Sequence, residues 1–276
     1  MITGRKNIFE LLSERYNLVK EIEKINRLYT ADLVSIGYPV MYSLEMFVDE
    51  YCLDQWKQCG TALTCDDLRE TLEIDRIITT DKLTYEDVLV YIEYILNMIK
   101  VCEIYMSKDS RVKFHRNILK LKGNIEIILN HLNYQQIYLE EEEKVLLVQK
   151  DKAAFAVAEI VSNDDALKVL EYNHYLLAGN LNRKREILKA MADIIEPIRT
   201  NLEKSLSSDF GFLVNSINIR HNNMEGSHKK KFVANMDKET LEYWYDETYQ
   251  LMLYCILQNE QKERAKRILD LKKQVN

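Results

Sequence analysis

Glycine and proline are scarce in this chain of 276 residues, which contains seven glycines and two prolines. A sheet-rich fold of this length needs many tight turns, and tight turns draw on both residue types. Their scarcity therefore argues against such a fold and favours long helices with short connections. A chain of this length can bury one large core or two smaller ones.

Long apolar runs are also lacking. No run of 18 apolar residues occurs, so we expect no membrane-spanning helix. The first residues, Met1–Lys6, lead into an amphipathic helical pattern rather than a signal peptide. Both observations predict a cytoplasmic protein.

The five cysteines include no Cys-X-X-Cys pair, and their number is odd. This usage is typical of reduced thiols in a cytoplasm. Cys52, Cys59 and Cys65 could bind zinc, but no fourth ligand is evident nearby, and structural zinc sites usually use close pairs of cysteines. We therefore expect neither a metal ion nor an organic cofactor.

Positive charge is not in excess, because 38 basic side chains face 44 acidic ones, a net charge of −6. This balance argues against a surface covered in basic residues for duplex DNA. It still allows a small basic site on an acidic body.

Hydrophobic periodicity predicts an all-α, multi-helix bundle. Thr84 and Asp87 resemble a capping box that opens a strongly apolar helix. No strand is expected before residue 134. Helices are predicted at 5–30, 40–59, 67–77, 84–106, 110–133, 153–161, 164–178, 183–205, 208–219 and 238–272.

The segment 134–150 joins the two halves of the predicted fold. Apolar runs at 136–139 and 145–148 flank four acidic residues, 140–143, and could pair as a small hairpin. A loop followed by a helix is the alternative. We place a boundary here, between a helical N-terminal region, 1–133, and a helical C-terminal region, 134–276.

One polar segment between two apolar helices holds most of the residues suited to chemistry. It contains two of the five histidines and four fixed cations within an acidic protein. The candidate catalytic residues are Arg220, His221, Asn222 and His228, and the candidate phosphate-binding residues are Asn223, Lys229, Lys230 and Lys231. Arginine binds phosphate oxygens in a two-point manner, and histidine exchanges protons near neutral pH.

These groups are the parts needed to cleave RNA without a metal ion. A base removes the proton of the ribose 2′-hydroxyl, an acid protonates the leaving 5′-oxygen, and arginine offsets the developing charge. The alternative is a solvated turn, because Asn222, Asn223 and Gly226 are turn-forming residues and cations often flank turns.

An arginine followed by a polar residue and a later histidine, in an all-α protein, resembles the HEPN superfamily of helical ribonucleases. The region 150–265 is also similar to bacterial abortive-infection proteins, in the stretches 171–174, 218–223 and 244–246. The HEPN motif is an arginine, four to six residues of any type and a histidine, with Asn, Asp or His often second. Arg220 and His221 match its first two positions.

The spacing departs from the motif, because seven residues separate Arg220 from His228. Gly226 in a loop could absorb the extra residue; otherwise His221 is the working histidine, or the site is inactive. The resemblance implies a metal-independent endoribonuclease in antiphage defence or a toxin–antitoxin pair, acting as a homodimer on RNA, with a possible antitoxin or defence-system partner. The alternative is a non-catalytic helical protein that binds a partner or nucleic acid.

Overall fold

The computed structural model describes residues 17–37, 39–221 and 236–275. This part of the chain is mostly α-helical, with eleven α-helices and two small antiparallel sheets. The predicted multi-helix fold is therefore confirmed. The chain divides into two compact units, Met1–Leu147 and Val148–Asn276. Within the described ranges, no helix is both long enough and apolar enough to cross a bilayer.

The described part of the N-terminal unit contains six α-helices and most of the strand residues. The helices are α1 (Leu18–Tyr29), α2 (Leu44–Tyr51), α3 (Cys65–Thr71), α4 (Ile74–Thr79), α5 (Tyr85–Lys108) and α6 (Asn117–His131). The strands are β1 (Val34–Ile36), β2 (Met41–Tyr42), β3 (Val112–Phe114), β4 (Tyr134–Leu139) and β5 (Lys144–Gln149), whose last two residues fall in the second unit.

A three-stranded sheet precedes residue 134, so the prediction of no strand there is wrong. Its order is β2-β1-β3, and Val34 pairs with Tyr42 on one side and with Phe114 on the other. The strands have only two or three residues each, too few for a periodicity of two to stand out. The second pairing also joins residues about 80 positions apart, which no local pattern reveals.

Helix α5 forms the centre of the N-terminal unit. Thr84 and Asp87 make the predicted capping box at its start. Asp87 also accepts a hydrogen bond of 2.7 Å from Arg76 of α4. The helix is apolar on several sides, which is typical of a helix with neighbours on more than one side. Its side chains Val88, Ile92, Ile95, Met98 and Cys102 are fully buried.

The hairpin β4–β5 confirms the first of the two predictions for segment 134–150. Asn97 of α5 accepts from the Val145 amide at 2.8 Å and donates to the Val145 carbonyl at 2.9 Å. Glu93, one turn earlier, accepts from the Leu147 amide at 2.7 Å. The four acidic residues form the hairpin turn, and Glu143 adopts a left-handed conformation there.

Five α-helices lie in the part of the C-terminal unit that the structure describes. They are α7 (Lys152–Ala158), α8 (Asn163–Glu171), α9 (Leu181–Ile195), α10 (Lys204–Ser216) and α11 (Lys238–Val275). A 3₁₀ turn, Glu196–Asn201, contains Pro197 and follows α9, so the α-helix ends within the predicted range 183–205. The apolar first half of α11 packs against α7, α9 and α10, and buries Tyr245, Tyr249 and Met252.

Candidate functional site

Arg220 and His221 lie in a tight turn directly after α10. Ile217 and Ile219 are buried and anchor this turn in the core of the C-terminal unit. Asn218 between them has a φ of 64°, a left-handed conformation that asparagine tolerates better than most residues. The Arg220 amide donates to the Val214 carbonyl at 3.2 Å. The backbone of Arg220 is therefore held against the end of α10.

The Arg220 guanidinium is directed at the end of α9. Nη1 donates to Glu196 Oε2 at 3.1 Å, and Nη2 donates to the Ala192 carbonyl at 3.3 Å. Asp193 Oδ1 lies 3.6 Å from Nη2. The side chain is 24% exposed. Arg220 is thus oriented by two carboxylates and one carbonyl while part of its surface still reaches solvent.

Glu196 also binds a second arginine, Arg199, whose Nη1 donates to Oε1 at 3.2 Å. Arg199 donates further to the Ser207 hydroxyl and carbonyl of α10 and lies over the Phe210 ring. A Cβ atom at position 211 would collide with the Arg199 guanidinium. Gly211 is therefore the residue of α10 that makes room for this arginine.

A third arginine, Arg185 of α9, reaches the same turn from another side. Its Nε donates to the Asn218 carbonyl. Unlike Arg220, Arg185 has no carboxylate within ion-pair distance in the described ranges. Burial raises the pKa of the Tyr245 phenol, and the positive charge of Arg185 nearby lowers that pKa in part. Arg220 thus belongs to this short turn and Arg185 contacts it, and Arg185 has no carboxylate partner among the described residues.

His221 follows Arg220 directly and is exposed. It is the one predicted histidine of the motif that the structure describes. The remaining predicted site residues, Asn222, Asn223, His228, Lys229, Lys230 and Lys231, lie outside the described residues. The structure therefore brings together Arg220 and His221 and adds Arg185, Arg199, Asp193 and Glu196, which the sequence analysis did not select.

A second polar cluster lies where the other two stretches of the resemblance meet. The Lys184 ammonium is 2.7 Å from Glu242 and 2.6 Å from Asp246, and its side chain is only 8% exposed. Tyr172 donates to Asp246 at 2.9 Å and stacks on Tyr249 with ring centroids 4.0 Å apart. The stretches 171–174 and 244–246 are thus joined by the Tyr172–Asp246 hydrogen bond, and the buried Lys184, which the sequence analysis did not identify, binds the same carboxylate.

Two further features of the sequence are His174, in the stretch 171–174, and the three cysteines that could bind zinc. His174 makes an isolated bridge with Val148 and contacts the Tyr175 ring. Over the described parts of the chain, no group of three His, Cys, Asp or Glu side chains could hold a metal ion, and this includes Cys52, Cys59 and Cys65.

Comparison with known proteins found no matching family model. It likewise found no match among curated proteins or solved structures.

Proposed function

We propose that this protein is a metal-independent endoribonuclease of the HEPN type, acting in bacterial antiphage defence or in a toxin–antitoxin pair. The observation that carries the proposal is the turn 217–221, where Arg220 is oriented by fixed partners, Arg185 has no carboxylate partner among the described residues, and His221 is exposed. This combination offers an RNA phosphate two guanidinium groups with an imidazole beside them.

In the proposed reaction, the ribose 2′-oxygen attacks the adjacent phosphorus after a histidine has removed its proton. The bond between phosphorus and the 5′-oxygen breaks, and that oxygen takes a proton from an acid. The products are a 2′,3′-cyclic phosphate and a 5′-hydroxyl, so no water or metal-bound hydroxide is consumed. Arg220 and Arg185 offset the charge that develops on the phosphate oxygens.

Glu196 and Asp193 have a defined part in this proposal. They orient the Arg220 side chain before RNA arrives, which reduces the conformational freedom lost on binding. They also compete with phosphate for the same guanidinium. A phosphate must therefore use the free donors of Arg220 or displace Glu196.

The test is cleavage of a labelled single-stranded RNA by the purified full-length protein in EDTA. Arg220→Ala should abolish cleavage while the circular dichroism spectrum is unchanged. Arg264→Ala is the matched control, because Arg264 is also paired with a glutamate, at 3.9 Å, but lies on the exposed part of α11. No cleavage by the parent protein on varied RNAs, or equal cleavage by both variants, contradicts the proposal.

A second candidate, a non-catalytic interaction protein, is favoured by the last turns of α11. Ile268, Leu271 and Val275 are 47%, 59% and 77% exposed, and their spacing of three and four residues places them on one helical face. Such a stripe suits pairing with a second helix. Leu271→Lys should then disrupt a homodimer in sedimentation velocity, and Lys272→Ala is the control. A protein that is monomeric before substitution excludes homodimer formation through this stripe, and a dimer that cleaves no RNA favours this candidate over the ribonuclease.

A further inference from the structure

Helix α11 keeps one face exposed along most of its length. In its first half, Thr248 and Cys255 face the core of the C-terminal unit and are fully buried, whereas Tyr243 and Tyr254 on the opposite face are 56% and 55% exposed. Every residue of the stretch Arg264–Val275 is exposed. The exposed face therefore continues from the packed half of the helix onto its last three turns.

The exposed face follows a seven-residue repeat. Steps of three and four residues along it define a seam, which consists of Tyr254, Leu257, Gln261, Arg264, Ile268, Leu271 and Val275. These are the a and d positions of a heptad pattern, which normally pack against a second helix. A helix in a protein gains most of its stability by burying its apolar face, so the exposed end of α11 needs such a cover.

The order of residues in the seam is symmetrical about its middle. Gln261 and Arg264 form a polar centre, and two apolar positions lie on each side of it at the same distances. If a second α11 runs antiparallel with its Arg264 opposite Gln261, every apolar position near the centre meets an apolar one. The pairs, each formed twice, are Leu257–Ile268 and Tyr254–Leu271. In a parallel pair, each Arg264 would instead lie opposite Arg264 of the second copy, which is a repulsive contact.

The charges beside the seam favour the same direction. Glu260 and Arg267 both occupy g positions of the heptad, and within one helix they are 2.7 Å apart. In an antiparallel pair, g positions face g positions, so Glu260 of each copy lies opposite Arg267 of the other. In a parallel pair, Arg267 would face the like charge of Lys272 at an e position. The apolar order and the flanking charges thus select one arrangement.

We propose that α11 pairs with α11 of a second copy as an antiparallel coiled coil with its centre between Lys262 and Glu263. The two helices overlap over 250–275, about 39 Å. The exposed end of each copy then covers the exposed face on the packed half of the other. The proposal assigns what covers the stripe of Ile268, Leu271 and Val275. It rests on the homodimer of the second candidate function and is independent of ribonuclease activity.

The first test exchanges charges between copies, with dimer dissociation constants measured by sedimentation velocity on the full chain. Glu260→Arg and Arg267→Glu should each weaken the dimer at least about tenfold, because like charges then meet at both ends. An equimolar mixture of the two variants should regain the parent's affinity. Both variants lack the attraction between 260 and 267 within one helix, so recovery in the mixture reports contact between copies.

Lys266→Glu is the control for the charge exchange. Lys266 is 66% exposed, binds Glu263 at 2.6 Å and lies on the side of α11 opposite the seam. The substitution makes the same change of charge as Arg267→Glu, and it should alter the dissociation constant by less than about threefold. A mixture that does not recover, or an equal effect of Lys266→Glu and Arg267→Glu, would overturn the proposal.

Disulfide trapping tests the direction of the two helices independently. The variants carry Cys59→Ser, because Cys59 is partly exposed whereas the other four cysteines are buried. On mild oxidation, a mixture of Leu271→Cys and Tyr254→Cys should give a covalent dimer, and Leu271→Cys alone should give none. A covalent dimer from Leu271→Cys alone would make the helices parallel, which overturns this proposal but keeps the homodimer. A parent protein that is monomeric at tens of micromolar concentration would overturn both, whatever its activity on RNA.

Discussion

Arg220 Nη1 lies 3.1 Å from Oε2 of Glu196, so the arginine predicted to bind RNA phosphate is already paired with a carboxylate. The other oxygen of Glu196 accepts from Arg199. One glutamate, directly after α9, thus binds two arginines. On the proposed function, Glu196 is the nearer of the two carboxylates that compete with phosphate for Arg220.

Glu196→Gln should therefore increase RNA affinity by about two- to fivefold, because a competing charge worth up to about 1 kcal/mol is removed. The measurement is fluorescence anisotropy with labelled RNA at several salt concentrations. Glu186→Gln is the matched control. It also removes one negative charge, but it frees Arg183, which Glu186 binds at 2.9 Å. An equal effect of both substitutions would mean that only net charge matters. A lower RNA affinity of Glu196→Gln would mean that orientation of Arg220 by Glu196 outweighs its competition with phosphate.

The contact between Gly211 and Arg199 predicts coupling between the two positions. In a helix, Gly→Ala should stabilise by about 0.5–1 kcal/mol, but a Cβ at position 211 must displace the Arg199 guanidinium from Ser207. Gly211→Ala should thus give little or no gain alone, and the full gain of about 0.5–1 kcal/mol in an Arg199→Ala background. Urea denaturation of all four proteins measures this cycle. Equal effects in the two backgrounds would show that the contact carries no energy.

Features set by neighbouring residues could be predicted from the sequence. Thr84 caps its helix as expected, and Asp151 and Asp237 cap theirs in the same way, because a cap requires only a side chain and an amide two or three residues away. Pro197 ends α9 for an equally local reason, since proline lacks an amide hydrogen.

Features set by distant residues could not be predicted in this way. Arg220 meets Glu196 across 24 positions, and Lys184 meets Asp246 across 62. Nothing in the spacing or composition of either segment selects these partners, because they are chosen by how α9 packs against α10 and α11. The sequence therefore indicated Arg220 as a candidate but neither the carboxylates that hold it nor the adjacent Arg185.

Lys184→Met should destabilise the protein by about 2–3 kcal/mol at pH 7. Removing one partner of a fully buried ion pair costs about 3–5 kcal/mol, and the effect is smaller here because Asp246 is 50% exposed. Urea denaturation gives the free energy of unfolding. Lys189→Met, at an exposed position of the same helix, is the control and should change that free energy by less than about 0.5 kcal/mol. A similar loss in both variants would contradict a specific role for Lys184.

The same lysine predicts how stability depends on pH. Burial raises the pKa of Glu242, but hydrogen bonds from Lys184 and the Gly179 amide outweigh burial and hold it below its usual value. A carboxylate with a lowered pKa in the folded state stabilises the fold above its unfolded pKa of about 4.3, and this stability is lost as the pH falls through the folded pKa. Lys184→Met should therefore lose less stability than the parent protein on going from pH 6 to acid. Parallel curves for the two proteins would show that Glu242 is not linked to Lys184.

The last prediction separates an enzyme from a protein that only binds RNA. His221 is exposed directly after Arg220, whereas His228 lies outside the described residues, so the two histidines must be tested side by side. If one is the general base or acid, its replacement by Ala should lower the cleavage rate about 10²–10⁴-fold. Stability should change by no more than about 0.5 kcal/mol for His221→Ala, because an exposed side chain leaves no cavity.

Lys229→Ala provides the comparison for this experiment, because a residue that contacts only the RNA backbone should weaken binding modestly and reduce its salt dependence by about one counterion. A large rate loss in Arg220→Ala and in one histidine variant, together with a small salt-sensitive loss in Lys229→Ala, is the pattern of a catalytic site. The same small, salt-sensitive loss in every variant would assign the segment to phosphate binding alone. If both histidines can be replaced without loss of cleavage, the proton transfers belong to other groups and the proposed mechanism is wrong.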